Sequence, residues 1–182
     1  EIAIYGFKYR PIIMVATLGN LTLWISLVFA ILQLIISQKK KIVLDNKYNT
    51  ITVRVLLISS FLSFVFLIYC YVVSDFTVAN VFKNSHTSKP LIYKIAAVWG
   101  NHEGSMLLWI LVLTIFNFFI YKLHNKKNFA FVCKSLETQS LIIIGFLLFT
   151  IFTSNPFEKI TPTQADGLGF NPILQDPALA IH

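Results

Sequence analysis

The segment Trp99–Trp109, which reads WGNHEGSMLLW, concentrates the residue types in this chain that could do chemistry. Its adjacent His102 and Glu103 lie near the start of an apolar run. Ionisable groups at membrane depth are costly enough to indicate a function, such as a proton or ligand path. Placement at head-group level, in water or hydrogen-bonded to a neighbouring loop, is an equal alternative. A zinc-hydrolase site is excluded, because the H-E-x-x-H motif needs a second histidine where the chain has Met106.

Other residues of this segment concern packing rather than chemistry. Gly100 and Gly104 have the G-x-x-x-G spacing that lets two helices approach closely in lipid. Trp99 and Trp109 are interpreted as an interface anchor and a packing residue rather than as contacts to a cofactor. A small proton-conducting protein that uses the adjacent acid and base is a weaker hypothesis, because no other acid or base within the apolar runs continues a path.

The histidine that closes the sequence, His182, is the second candidate. It follows a proline-rich stretch and the apolar residues Leu179–Ile181, where a membrane–water boundary is expected. Neutral imidazole is a good iron ligand, and haem, with its apolar ring edge and anionic propionates, suits such a boundary. A lone histidine more often has no ligand role, so both interpretations stay open. His86 and His124 lie in loops and are interpreted as solvated.

Composition indicates which elements must position these residues. Hydrophobic residues make up 56% of the 182 residues and charged residues 13%, whereas soluble domains carry about 25% charged residues. The net charge of +7 comes from lysines between apolar blocks. This pattern indicates topological signals and contact with anionic membrane lipid rather than nucleic-acid binding. Cys70 and Cys133 form no C-x-x-C motif, so neither a redox dithiol nor a thiolate metal site is predicted.

The apolar blocks predict an all-α integral membrane protein with about four transmembrane helices in a single membrane domain, residues 1–182. The predicted helices cover about residues 12–37, 55–74, 95–121 and 138–154. The first block is predicted to be retained, because a signal peptide has an apolar region of only roughly 7–15 residues. Residues 155–182 hold four prolines and two glycines, which predicts an irregular outer C-terminal tail.

Basic residues predict the orientation of these helices. Two connections are rich in lysine, the first with Lys39, Lys40, Lys41 and Lys47 and the second with Lys122, Lys126, Lys127 and Lys134. Short lysine-rich loops face the cytoplasm or the mitochondrial matrix. Both connections are therefore expected on that side of the membrane, and the segment 75–94 and the tail on the outer side.

Four separated runs carry a family resemblance. They are VSDFTVANV at Val73–Val81, YKIAAV at Tyr93–Val98 leading into Trp99–Trp109, TSNPFE at Thr153–Glu158, and NPILQDPALAIH at Asn171–His182. In order and spacing they resemble the CcmF family, the membrane haem lyases of cytochrome c maturation system I, over essentially the whole chain. The resemblance implies the N-terminal part of a longer protein. The family's tryptophan-rich WWD segment, its second outer histidine ligand and its buried histidine pair are absent from this sequence.

The resemblance implies a role for the closing histidine. His182 corresponds to the first residue of the family's His-Pro-Pro motif, a candidate axial ligand to the iron of haem in transit. In the family mechanism, haem from the membrane-tethered chaperone CcmE is held at the outer face and joined by thioethers to an apocytochrome C-x-x-C-H motif. The implied partners are CcmE, apocytochrome c with its thiol-handling partner, and the remaining part of the lyase. Without that remainder the chain is expected to be inactive.

Location and function each keep an alternative. The family is split into separate polypeptides in some mitochondrial genomes, and the abundance of Phe, with 17 residues, is typical of an AT-rich genome. A mitochondrial inner membrane is therefore implied, with a bacterial inner membrane as the alternative; a trimmed longer chain would look the same. The alternative function is a non-catalytic structural subunit of a respiratory-chain or maturation complex, held by helix packing at Gly100 and Gly104.

Overall fold

The computed structural model describes residues 2–38, 47–123, 129–162 and 164–169. Its helices are α1 (Ile2–Gln38), α2 (Lys47–Val72), α3 (Ala79–Asn84), α4 (Leu91–Ala97), α5 (His102–Lys122) and α6 (Phe129–Phe152). Over the described residues there is no strand, and an isolated antiparallel bridge joins Val78 to Lys159. The predicted all-α class is confirmed.

Four of these helices are long and apolar enough to cross a membrane. Their spans are Met14–Gln38, Lys47–Val72, His102–Lys122 and Ala130–Phe152. At about 1.5 Å per residue, each covers a hydrocarbon core of about 30 Å. Large apolar side chains such as Phe61, Phe116 and Phe149 are exposed on the outward faces of the helices, where lipid tails would solvate them. The chain is a multi-pass membrane protein, and the predicted four spans are confirmed.

Three of the helices begin earlier than hydropathy alone predicts. α1 begins at Ile2 rather than near residue 12. α2 begins at Lys47 rather than near residue 55, because polar residues of its first turns, such as Thr52, are buried against the bundle. α6 begins at Phe129 rather than near residue 138. Its early turns pair Lys134 with Glu137 at 2.8 Å, and such neighbours three apart support an exposed helix. The helices therefore extend past their apolar runs.

The third predicted helix, residues 95–121, is divided in the structure. α4 ends at Ala97, a turn follows, and α5 begins at His102. The division occurs because Asn101 has extended backbone angles, φ −124° and ψ 165°, and its side chain accepts a hydrogen bond from the backbone N–H of Gly104 at 2.8 Å. An asparagine in this position caps a helix and sets where it starts.

The four spanning helices form a ring in which α1 packs on α2 and α6, and α5 packs on α2 and α6. Buried positions recur three and four residues apart, the spacing of left-handed bundles. Along α1 they are Ala16, Gly19, Leu23, Ser26, Ala30, Gln33 and Ser37, and along α6 Cys133, Leu136, Ser140, Ile143, Leu147 and Thr150. Many of these side chains are small, which allows the backbones to approach closely in lipid.

Polar side chains inside the ring are paired across helices. The Ser26 hydroxyl lies 2.7 Å from that of Ser59 and 3.2 Å from that of Ser60, joining α1 to α2. The amides of Gln33 in α1 and Asn117 in α5 exchange two hydrogen bonds of 3.0 Å. Because lipid offers no alternative partner, such pairs favour one packing of the helices over others.

The two ends of the ring differ. At one end, α1 and α5 finish and α2 and α6 begin, and this end is called the lysine end. The hydroxyls of Thr50 in α2 and Tyr121 in α5 lie 2.5 Å apart there. The flanks of both lysine-rich connections therefore share an end, which agrees with the predicted common side. At the opposite end, residues 73–101, 153–162 and 164–169 pack together above the helices. These residues are called the cap.

Candidate functional site

The cap is built from two stretches of chain that hydrogen-bond through their backbones. The N–H of Ala79 donates to the carbonyl of Glu158 at 2.8 Å, and the N–H of Ile160 donates to the carbonyl of Thr77 at 2.9 Å. Phe157 is buried in the main core and lies against Gly19 of α1, where any larger residue would overlap the phenyl ring. The start of the tail is thus fixed both to the α2–α3 connection and to the bundle.

A second set of contacts fixes the tail further along. The N–H of Leu168 donates to the carbonyl of Phe82 at 2.8 Å, and that of Gly169 to the carbonyl of Ser85 at 3.1 Å. At Gly167 a Cβ atom would overlap the Ser85 carbonyl, so glycine is required for this close approach. The start of the tail is therefore held against residues 73–101 of the cap as far as Gly169.

Asp166 closes this second contact. Its carboxylate accepts hydrogen bonds from the Thr87 hydroxyl at 2.6 Å, the Thr87 N–H at 3.0 Å and the Gly167 N–H at 2.7 Å. The Nε2 of His86 lies 3.2 Å from the same carboxylate. The Thr87 hydroxyl bond, above all, holds the pKa of Asp166 below its usual range, since donors to a carboxylate favour its charged form.

A buried polar network underlies the start of α5. The side-chain amide of Asn101 donates to the Tyr71 hydroxyl at 3.0 Å and to the carbonyl of Ala97 at 2.6 Å. Its side-chain oxygen accepts from the Asn80 amide at 3.0 Å as well as from Gly104. Tyr71 in turn is bonded to the side-chain oxygen of Asn80. This network joins α2, α3 and α5 and fixes the backbone direction of the segment Trp99–Trp109.

The sequence hypothesis gave no role to the residues of this network. The signal available for Asn101 was its place directly before a helical apolar run, which is a helix start signal. Tyr71 and Asn80 had no comparable signal, because their contacts join residues far apart in the chain.

His102 and Glu103 lie in the first turn of α5, at the cap end of a span. The Nε2 of His102 lies 3.1 Å from the Ser154 hydroxyl, and its ring meets the ring of Phe149 edge-on at 6.0 Å. Glu103 is half-buried, where the positive end of the helix dipole favours a carboxylate. His102 therefore links the start of α5 to the end of α6, a location that agrees with the head-group alternative.

The predicted packing residues occupy different settings. Gly100 lies in the turn before α5, and a Cβ on Gly104 would overlap the carbonyl of Val98. The close approach at Gly104 is therefore with the turn that precedes its own helix; a neighbouring helix approaching at these glycines stays a prediction. Trp99 is half-buried against the main core, and Trp109 is 55% exposed on the bundle surface.

The remaining candidates divide between described and undescribed parts of the chain. His182 and His124 lie outside the described residues. Cys70 and Cys133 are both buried, in α2 and α6. Within the described part of the chain, no group of three or more His, Cys, Asp or Glu residues could hold a metal ion.

Comparisons with known proteins relate this architecture to others. The family model described as cytochrome C assembly protein matches residues 99–182, which include α5, α6 and the tail. CycK of Rhizobium meliloti is 48% identical over 120 residues, covering 66% of this chain and 18% of that protein. CcmF of Haemophilus influenzae is 38% identical over 174 residues, covering 93% of this chain and 27% of that protein.

The fold has a counterpart among solved structures. A structure titled cytochrome c heme lyase CcmF superposes with a TM-score of 0.71 and 24% identity, covering 81% of this chain and 25% of that one. The present chain thus spans about a quarter or less of the length of these relatives. The Haemophilus influenzae relative carries the name of the family that the sequence resembles. The chain belongs to the CcmF-type cytochrome c biogenesis proteins.

Proposed function

We propose that this chain is the part of a cytochrome c haem lyase that helps to hold haem at the outer membrane face, with His182 as an axial ligand. The observation that carries the proposal is the cap, in which residues 73–101 hold the start of the tail by backbone hydrogen bonds through Gly169. The cap lies at the end of the bundle opposite the lysine-rich connections. The segment that follows Gly169 leads to His182. The family membership supports cytochrome c maturation as the process, since both relatives compared are biogenesis proteins by name.

The described residues fit the task of anchoring and not that of ligating iron. His86 is engaged with Asp166 and with the Ser88 hydroxyl, and His102 with Ser154. A haem site built only from the described residues is therefore not supported. The proposed division is that the cap orients the tail, His182 supplies an imidazole, and the rest of the lyase supplies the remaining contacts. Holding reactants in register is the main contribution expected of such a protein.

The proposed partners follow from this division. They are the rest of the lyase, the haem chaperone CcmE, and apocytochrome c with its thiol-handling partner, all in contact with membrane lipid. Haem supplies the vinyl groups that become thioethers on the apocytochrome thiols. The proposed location is the mitochondrial inner membrane, with a bacterial inner membrane as the alternative that the bacterial relatives favour.

A non-catalytic membrane subunit is the second candidate function. The observation that favours it is that the described histidines His86 and His102 are engaged with Asp166 and Ser154. Co-isolation of haem and of apocytochrome-handling partners would support the lyase. A colourless stoichiometric subunit of a respiratory complex would support the alternative.

The test of the lyase proposal is the substitution His182→Ala in the assembled complex. The expected result is a changed low-spin haem spectrum and a lower yield of cytochrome c, because one axial ligand is lost. His124→Ala is the matched control, since it removes an imidazole from the lysine-rich connection between α5 and α6 without removing the proposed ligand. An unchanged spectrum with normal cytochrome c yield in His182→Ala would refute the ligand assignment.

A further inference from the structure

A cavity of about 560 Å³ lies at the cap end between α1 and α6. Its polar lining comprises Thr17 and Asn20 from α1 and Thr153, Asn155, Glu158 and Lys159 from the cap. We propose that it holds the headgroup of an ethanolamine phospholipid. The proposal is independent of haem binding and of the proposed lyase function.

The level of the cavity in the membrane is set by the helices that line it. Phe152, which lines the cavity, is the last residue of α6 and of the span Ala130–Phe152. The cavity therefore lies where α6 passes into the cap. Because the end of an apolar span falls among the lipid headgroups, the cavity lies at headgroup level.

An apolar wall runs from the cavity towards the centre of the bilayer. Phe152, which lines the cavity, is 69% exposed, and Trp24, one or two turns further along α1, is 41% exposed. Their rings meet edge-on at 5.7 Å, and Leu21 beside them is also exposed. Tryptophan is enriched at this depth of a membrane. Acyl chains of a lipid whose headgroup sits in the cavity would lie along this wall.

Charges of both signs line the cavity. The Lys159 ammonium donates to the Thr17 hydroxyl at 2.8 Å, which holds the lysine side chain across the cavity between cap and α1. The Asn155 amide donates to the side-chain oxygen of Asn20 at 3.2 Å and closes a second link between the same elements. Glu158 is the neighbour of Lys159 and exposed. A ligand with one phosphate and one ammonium group would match this pair.

The pair also selects among phospholipids. Lys159 suits any phosphate, whereas Glu158 suits a headgroup that can donate N–H bonds to its carboxylate. The primary ammonium of ethanolamine has such donors, and the quaternary nitrogen of choline has none. Glycerol headgroups carry no cation for Glu158. Ethanolamine lipid is therefore the favoured occupant.

The test is lipid retention by the full-length protein in nanodiscs of mixed phosphatidylethanolamine and phosphatidylcholine, read by native mass spectrometry. The expected preference for ethanolamine lipid is about tenfold, the size of one charge-assisted hydrogen bond. Glu158→Gln is expected to abolish that preference, and Lys159→Gln to weaken retention of both lipids. Lys83→Gln, which removes an exposed lysine of α3 away from the cavity, is the control and is expected to change neither.

Two outcomes would overturn the proposal. Equal retention of both lipids by the unsubstituted protein would mean annular lipid only. Saturable binding of glycerophosphoethanolamine, which carries the headgroup without acyl chains, would place a soluble phosphate ester in the cavity instead of a lipid. Neither readout involves haem, so failure here and failure of the lyase proposal are distinguishable.

Discussion

Substitution of Asn101 by alanine tests whether the buried network sets the start of α5. The helix cap it provides is typically worth about 1 kcal/mol. Its loss also leaves the buried Asn80 amide without its acceptor and removes a donor to Tyr71, and a buried polar group without a partner costs about 1–3 kcal/mol. The expected loss of stability is therefore about 2–4 kcal/mol.

The assay is unfolding of the purified protein in mixed micelles with increasing sodium dodecyl sulfate, followed by circular dichroism. Ser105→Ala is the matched control, because its hydroxyl donates only to the carbonyl of His102 one turn back in the same helix. The control is expected to change stability by less than about 0.5 kcal/mol. A loss for Asn101→Ala no larger than that of the control would refute the structural role given to the network.

Three further predictions concern the bundle and the cap. Gln33→Ala is expected to lower the free energy of unfolding by about 1–3 kcal/mol in the same assay, because it leaves the buried side-chain amide of Asn117 without its hydrogen-bond partner. Gly167→Ala is expected to expose the tail to protease, because its Cβ would overlap the Ser85 carbonyl. Lowering the pH from 6 to below about 4 is expected to release the tail as Asp166 protonates. The pKa of Asp166 is lowered in the folded protein. Its contribution to stability is therefore present above the pKa of the unfolded chain and is lost as the pH falls through the pKa of the folded protein.

Each of these predictions has a control. The double substitution Gln33→Leu with Asn117→Leu is expected to be nearly neutral, because both partners become apolar; a loss as large as that of the single variant would contradict the argument. Leu168→Ala, at an exposed neighbour of Gly167, is expected to leave protease sensitivity unchanged. Asp166→Asn is expected to remove the pH dependence of tail release, measured by amide exchange, and a persistent transition would assign it elsewhere.

The four spans could be predicted from sequence because a long apolar run has few alternatives to crossing a membrane. The division of the third predicted helix at Asn101 could have been predicted from its capping signal. The network around Asn101 could not, because Tyr71 and Asn80 contact it only after α2, α3 and α5 have packed.

Gly104 shows a second limit of local patterns. Its spacing from Gly100 predicts a close approach of some backbone, and the structure places the Val98 carbonyl there. A G-x-x-x-G pattern indicates that a side chain would not fit but does not identify the neighbour. The sequence likewise could not predict that Glu158 and Lys159 line a cavity, since α1 contacts them only in the folded bundle.

The claim on which the functional account depends is that the cap faces the outer side of the membrane. Single cysteines at Leu168 in the cap and at Leu123 at the lysine end, which are 74% and 77% exposed, can be labelled with a membrane-impermeant maleimide in sealed vesicles of known orientation. The buried Cys70 and Cys133 are expected to stay unlabelled. The account predicts labelling of Leu168→Cys from the outer side and of Leu123→Cys only after the membrane is opened. The reverse pattern would contradict it.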